Sequence, residues 1–219
     1  MGVCHLLVDG RGDAVLLDTG LVGEPLQIRW LLKRLGLQRA SIKAILVTHG
    51  HIDHVGNLAW ARRFSGAPVY AHRAEQAHID GIYPYTGVAR WCGGMERVAY
   101  DVLNYRPIGI NHFIADGDEL PFWDGLRVIH LPGHTEGHCG FYSERHQLLF
   151  SGDLFASYFF NIHLPPPILN SKPELIPQSL RKALDLDARY VVPQHYDILD
   201  GELHRRRFQK LCALKLETQ

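Results

Sequence analysis

No stretch of the chain stays apolar for the roughly 20 residues that a membrane-spanning helix needs, so no membrane partner is expected. Charge of one sign is missing too: 23 Lys and Arg stand against 23 Asp and Glu, a formal net charge of zero. A partner such as nucleic acid usually demands a basic face, and none is expected here. Cysteine is sparse. Cys4, Cys92, Cys139 and Cys212 lie far apart and none belongs to a C-x-x-C pair, which argues against a disulfide framework and for reduced thiols in a cytoplasmic setting. The opening "MGVCHLLVDG" lacks a basic segment followed by a long apolar run, so no signal peptide is read. Leu6 stands where a myristoylation pattern wants Ser or Thr. Internal repeats, low-complexity tracts and linkers are also lacking. With 219 residues, 46% of them hydrophobic, the expectation is one domain over 1–219 with a substantial core.

The first part of the chain alternates between two periods. "VCHLLV" and "AVLLD" read as strands around a tight "DGRGD" turn. "EPLQIRWLLKRLG" places Ile28, Leu31, Leu32 and Leu35 on one helical face, with Pro25 near its start and Gly36 just past its end. "AILV" is a buried strand, a second helix runs from near Asp53 to Gly66, and "APVYAH" is another strand. Such alternation implies α/β layering. Residues 79–117 are aromatic, glycine-rich and without clear periodicity, and read as a loop excursion with short helical pieces. After them come three strands in "LRVIHLPGH" and "GHCGFYSERHQLLFSGD". An apolar and then proline-rich loop, "LFASYFFNIHLPPPILN", follows, then a helix, a strand at "RYVVPQH" and a last helix over 202–214.

What the chain has in excess is histidine, 14 residues in all. "THGHIDHVG" crowds His49, His51, Asp53 and His54 onto one turn. A core would not carry them, because buried polar groups are costly unless each finds a partner. Imidazole nitrogens and carboxylate oxygens suit zinc and neighbouring transition ions. Chance would produce H-x-H-x-D-H roughly 0.004 times in a chain of this composition, an order-of-magnitude figure. The motif also sits where sites form in layered α/β chains, after a strand and before a helix. Four ligands on so short a turn cannot all reach one ion. With His49 and His51 aimed one way and Asp53 and His54 another, two ions about 3.5–4 Å apart are expected.

The motif resembles the signature of the metallo-β-lactamase superfamily. So do "LPGHTEGH" with His134, "FSGDLF" with Asp153 and "VVPQHYD" with His195, in the same order over nearly the whole chain. Here the last histidine lies between Gln194 and Tyr196 rather than in a Gly-His-Gly-like turn. The resemblance implies an αββα sandwich with metals at the edge where two sheets meet. It implies His49, His51 and His134 on a first ion, Asp53, His54 and His195 on a second, and Asp153 bridging both. Two divalent ions are expected, zinc first, with iron or manganese also suited. The implied activity is hydrolysis of a small thioester, lactone or other ester by water activated between the ions, with Asp53 as a catalytic proton shuttle.

The seven-ligand set is similar to that of hydroxyacylglutathione hydrolases (glyoxalase II), lactonases and phosphodiesterases of the family. The neutral charge disfavours the nuclease branch, and "HRRRFQK" reads as a solvated helix face. Two further alternatives stay open: an iron-dependent oxidoreductase similar to persulfide dioxygenases, and a non-catalytic metal-binding protein. Phe155, Tyr158 and Phe159, with Phe160, follow a ligand closely and wall either an apolar substrate pocket or ordinary core. Asp18 and Thr48 either orient ligand histidines or cap turns. His72, His78, His112, His130, His138, His146 and His163 are read as structural or solvated, and Cys139 as a buried strand residue. The aromatic stretch 82–105 suits a lid or a dimerisation element, so a homodimer is an open expectation.

Overall fold

Alternation along short strands sorts the apolar residues into layers in the computed structural model, which describes residues 2–82, 85, 87–158 and 161–216. Ala14 and Leu16 of strand β2 (Ala14–Leu17) join one apolar cluster, and Val15 and Leu17 join another, because successive side chains leave opposite faces of a strand. Strand β3 (Ile42–Leu46) repeats the split, with Ile45 on one side and Ala44 and Leu46 on the other. Unbroken apolar runs are the mark of strands covered on both faces.

The first sheet runs β1 (His5–Val8), β2, β3, β4 (Val69–His72), β5 (His112–Ile114). Only β1 is antiparallel to its neighbour. The second sheet contains β6 (Glu119–Leu120), β7 (Leu126–His130), β8 (Cys139–Ser143), β9 (Leu148–Tyr158) and β10 (Asn161–His163) as antiparallel neighbours, and β11 (Tyr190–Tyr196) lies parallel to β9. Leu17 and Leu46 of the first sheet meet Leu126, Phe141 and Phe150 of the second. Outside them, α1 (Glu24–Arg34) and α3 (Leu58–Ser65) pack Ile28, Leu32, Leu58 and Ala61 onto the first sheet. On the far side, α6 (Ile176–Asp185) and α7 (Gly201–Leu216) pack Leu180, Phe208 and Leu211 onto the second. The order helix, sheet, sheet, helix is the αββα sandwich that the resemblance implies.

Several local readings change. Of the four apolar residues placed on one face of α1, Ile28 and Leu32 are buried whereas Leu35 is 54% exposed, because the helix has already ended there. The helix read from Asp53 to Gly66 is two, α2 (Ile52–Val55) and α3, interrupted at Gly56–Asn57 and closed by Gly66 at φ 76°. Beyond α4 (Gln76–Ile79), a 13-residue helix, α5 (Arg90–Val102), lies within the stretch read as an excursion. Its buried side carries Cys92, Gly93, Glu96 and Tyr100, while an apolar row at helical spacing, Trp91, Met95, Val98 and Val102, lies exposed, so this part of the stretch does have a helical period. The apolar first part of the stretch after Asp153 is not a loop, since β9 continues to Tyr158 and pairs back with β10, whereas the proline-rich part, 164–170, carries no strand. β9 can run that far because β11 flanks it on one side while β8 and then β10 take the other.

Candidate metal centre

All seven residues expected from the motifs converge at the edge where the two sheets meet. The turn after β3 delivers His49 and His51, α2 delivers Asp53 and His54, the turn after β7 delivers His134, and β9 and β11 deliver Asp153 and His195. Register shifts around Pro193 bend β11 just before His195; proline lacks the N–H a regular ladder requires, and a bulge re-aims the side chain that follows. Asp153 Oδ2 is the hub. It lies 3.0 Å from His195 Nε2, 3.5 Å from His54 Nε2, 3.6 Å from His134 Nε2 and 3.9 Å from His49 Nε2. Asp53 Oδ2 lies 3.4 Å from His195 Nε2 and 3.7 Å from His54 Nε2. Two three-residue groups of ligand type result, His49–His51–His134 and Asp53–His54–His195, and Asp153 also groups with His49 and His54.

Hydrogen bonding behind the rings settles which nitrogen faces inward. His54 Nδ1 is 2.9 Å from Asp18 Oδ2 and His134 Nδ1 is 3.0 Å from Asn170 Oδ1. Both partners are acceptors, so each Nδ1 carries the proton. Thr48 Oγ1 donates to Asp18 Oδ2 at 2.7 Å and so accepts from His49 Nδ1 at 3.0 Å. The Nε2 lone pairs of His49, His54 and His134 are thereby turned toward the hub. Those three nitrogens, His51 Nε2 and Asp153 Oδ1 are buried with no hydrogen-bond partner. Unpartnered buried polar atoms are rare in folded proteins and call for an explanation; five at one point, all of metal-ligand type, fit a metal. Asp18 also accepts from Thr48 N at 2.8 Å and from Gln194 Nε2 at 2.6 Å. Of the two roles open to Asp18 and Thr48, the contacts are those of residues that orient ligands.

Burial and charge oppose one another at the site. Burial pushes the Asp153 carboxyl upward, but the surrounding His54 and His195 hold it well below the ordinary range. Burial likewise opposes charge on His195, yet Asp153 and Asp53 raise it to about 9. His49 and His51 are held neutral by burial first and by the neighbouring imidazoles second. His49, His51 and Asp153 are thus in the neutral or ionised forms that ligate, whereas His195 and His54, the latter raised against its burial by Asp153 and Asp53, would give up a proton to a bound metal.

Other positioning residues carry no motif. Glu75, fully buried after β4, accepts from Gly50 N, Thr135 Oγ1 and Gly137 N, each at 2.7 Å. It therefore ties the turn bearing His49 and His51 to the turn bearing His134. His138, read as structural or solvated, donates from Nδ1 to Leu131 O and accepts the Asp153 N–H at Nε2, both at 2.9 Å. Gly152, next to that bond, sits at φ 56°, and a Cβ there would lie 2.4 Å from His138 Nε2. Phe155 is 1% exposed and packs on Phe208, and with Tyr158 it also lines a cavity of about 180 Å³ beside Asp153 and His195. Phe159 and Phe160 lie outside the described residues.

The family model "Metallo-beta-lactamase superfamily" matches residues 1–195. A probable metallo-hydrolase of Bacillus subtilis, YybB, is 32% identical over 163 residues, covering 71% of this chain and 62% of its own. The hydroxyacylglutathione hydrolase GloC of Haemophilus influenzae is 27% identical over 153 residues, covering 69% of this chain and 65% of its own. The chain thus spans less than two thirds of the length of these relatives. Among solved structures, TTHA1623 in a di-iron-bound form is 28% identical with a TM-score of 0.70, covering 93% of this chain and 92% of that one. With the fold, the convergent histidines and the family model in agreement, the chain belongs to the metallo-β-lactamase superfamily.

Proposed function

We propose that the protein is a dinuclear metal-dependent hydrolase of a small thioester, lactone or other ester. The observation that carries this reading is the set of five unpartnered buried ligand atoms around Asp153. His49, His51 and His134 would hold one ion, Asp53, His54 and His195 the other, and Asp153 would lie between them. Divalent ions bound there would supply an activated water and stabilise charge developing on the substrate oxygen. Nitrogen and oxygen donors suit zinc, and the di-iron form of TTHA1623 keeps iron as the second choice.

The rest is the work of the chain itself. Asp53 is only partly buried, and its Oδ2 stands 3.4 Å from His195. It is the carboxylate at the mouth of the site, placed to take a proton from the reacting water and pass it on. Asp153, 6% exposed, is too enclosed for that exchange. Phe155, Ala156, Tyr158, Pro165, Pro166 and Leu169 line the adjoining cavity and would receive an apolar acyl group, excluding water from its bond. Metal analysis combined with a substrate panel tests the reading. The expected result is two zinc or iron ions per chain, hydrolysis of members of a thioester and lactone panel, and loss of turnover on chelation. Full metal occupancy without hydrolysis of any panel member would refute it. So would one iron per chain with oxygen consumption.

A further inference from the structure

Two cavities open onto the metal centre, one from each side. His134, Asp153, Leu169 and His195 border both. One is the apolar cavity of about 180 Å³ already described. The other, of about 260 Å³, is roofed by α5 and differs in chemistry: Cys92, Met95 and Glu96 face it. Cys92 and Glu96 are four residues apart, hence on one side of the helix. Cys92 Sγ, a Glu96 carboxylate oxygen and a His51 ring nitrogen lie within 4.8 Å of one another. Glu96 is 5% exposed. The Tyr85 hydroxyl donates to its Oε2 at 2.9 Å, while its Oε1 has no hydrogen-bond partner. Burial raises its carboxyl to about 7, against the Tyr85 hydroxyl and the Ile52 N–H, which favour the charged form. Leaving a buried carboxylate oxygen unpaired is costly, and this one borders a space large enough for a ligand group. No Lys or Arg lines either cavity among the described residues.

We propose that Glu96 selects the leaving group: the preferred substrate joins an apolar acyl part, held beyond Asp153, to a leaving group that carries a positive charge or an N–H donor and reaches Glu96. The inference rests on the hydrolase reading above.

The test compares butyryl thioesters of thiocholine, N-acetylcysteamine and 3-mercaptopropionate, which are cationic, neutral with an N–H, and anionic. A hydrogen bond or ion pair to a charged group is worth about 10- to 100-fold. The wild-type kcat/KM should therefore fall by at least about tenfold from the cationic to the anionic ester. In Glu96→Gln the ratio should shrink to within about threefold of the ratio for uncatalysed hydrolysis, which corrects for the intrinsic reactivity of each thiol ester. Calorimetric binding of the matching ketone analogues, in which CH₂ replaces sulfur, should show the same preference and the same loss. Equal or better use of the anionic ester by wild type, or an unchanged ratio in Glu96→Gln, would overturn the inference and leave the hydrolase reading standing. Absence of turnover on all three and on every lactone and ester of the wider panel, with both ions bound, would instead remove the hydrolase reading, and with it this one.

Discussion

Glu75 offers the sharpest check on how the metal centre is held. Its Oε1 accepts from Thr135 Oγ1 and Gly137 N, and its Oε2 from Gly50 N, all at 2.7 Å and all buried. Glu75→Gln keeps the shape and gives back one acceptor oxygen. If that oxygen serves Thr135 and Gly137, the new NH₂ group faces the Gly50 N–H, donor against donor. A stranded buried donor costs about 1–3 kcal/mol, and the two surviving bonds weaken because their acceptor is no longer charged. Part of this is offset, since burial disfavours the Glu75 carboxylate and a neutral amide is cheaper to bury. A net loss of about 1–3 kcal/mol is expected, or roughly 2–4 °C of melting temperature per kcal/mol for a chain of this size. The damage falls on the contact between the two ligand-bearing turns, so metal affinity should drop about 10- to 100-fold, as for other residues that orient ligands. Thermal unfolding of the metal-free chain and chelator competition for the ions measure the two effects. Wild-type metal affinity in Glu75→Gln would refute the argument that this carboxylate sets the spacing of the turns.

Two further outcomes follow from the neighbourhood of Asp153. Burial holds the His138 imidazole at about 3 in the folded chain, below its unfolded value of about 6.5. Between those values the unfolded chain binds the extra proton. The His138 contribution is therefore constant above about pH 6.5 and erodes as pH falls, by up to ~1.4 kcal/mol per unit. Urea unfolding of metal-free protein at pH 7, 6 and 5 should show a shallower acid loss in His138→Gln than in wild type; identical slopes would contradict this. Gly152→Ala should cost at least about 1–2 kcal/mol from its positive φ alone, and its Cβ would collide with His138 Nε2. Reduced thermal stability together with a reduced metal content checks it, and an unaltered protein would show that the backbone at 152 yields freely.

The motif residues were legible because ligand chemistry concentrates them. Four ligand-type side chains within six positions have no structural use that fits a core or a surface, and the later His134, Asp153 and His195 sit in turns and strands whose edges are readable. Other parts of the site leave no such trace. Glu75, Asn170 and Gln194 are single polar residues whose partners at the metal centre lie 25 to 176 positions away, and no local pattern announces a long-range hydrogen bond. Helix α5 is masked differently: its buried face is built of Cys92, Gly93, Glu96 and Tyr100, its apolar row Trp91, Met95, Val98 and Val102 lies exposed, and paired glycines and scattered aromatics blur the period along the stretch. The strand after Asp153 is hidden as the lone polar residues are, because the pairing that makes it a strand comes from β10 and β11, which lie later in the chain.

The placement of the ligands explains why so many buried polar residues cluster here. His49, His51, Asp53 and His54 follow a strand of the first sheet, whereas Asp153 and His195 belong to strands of the second and His134 to a turn leaving it. A site assembled across the seam is only as precise as the contact between the sheets, and the apolar layer between them, Leu17 and Leu46 against Phe141 and Phe150, is non-directional. Direction must come from hydrogen bonds that cross the seam. Asp18, at the end of a first-sheet strand, accepts from Gln194 of the second, and Glu75 reaches from the first to Thr135 and Gly137. These two buried carboxylates clamp the ligand cluster from either side, and each also grips the turn that carries His49. Each therefore couples one sheet's ligands to the other's, so disturbing either should be felt at both ligand groups at once.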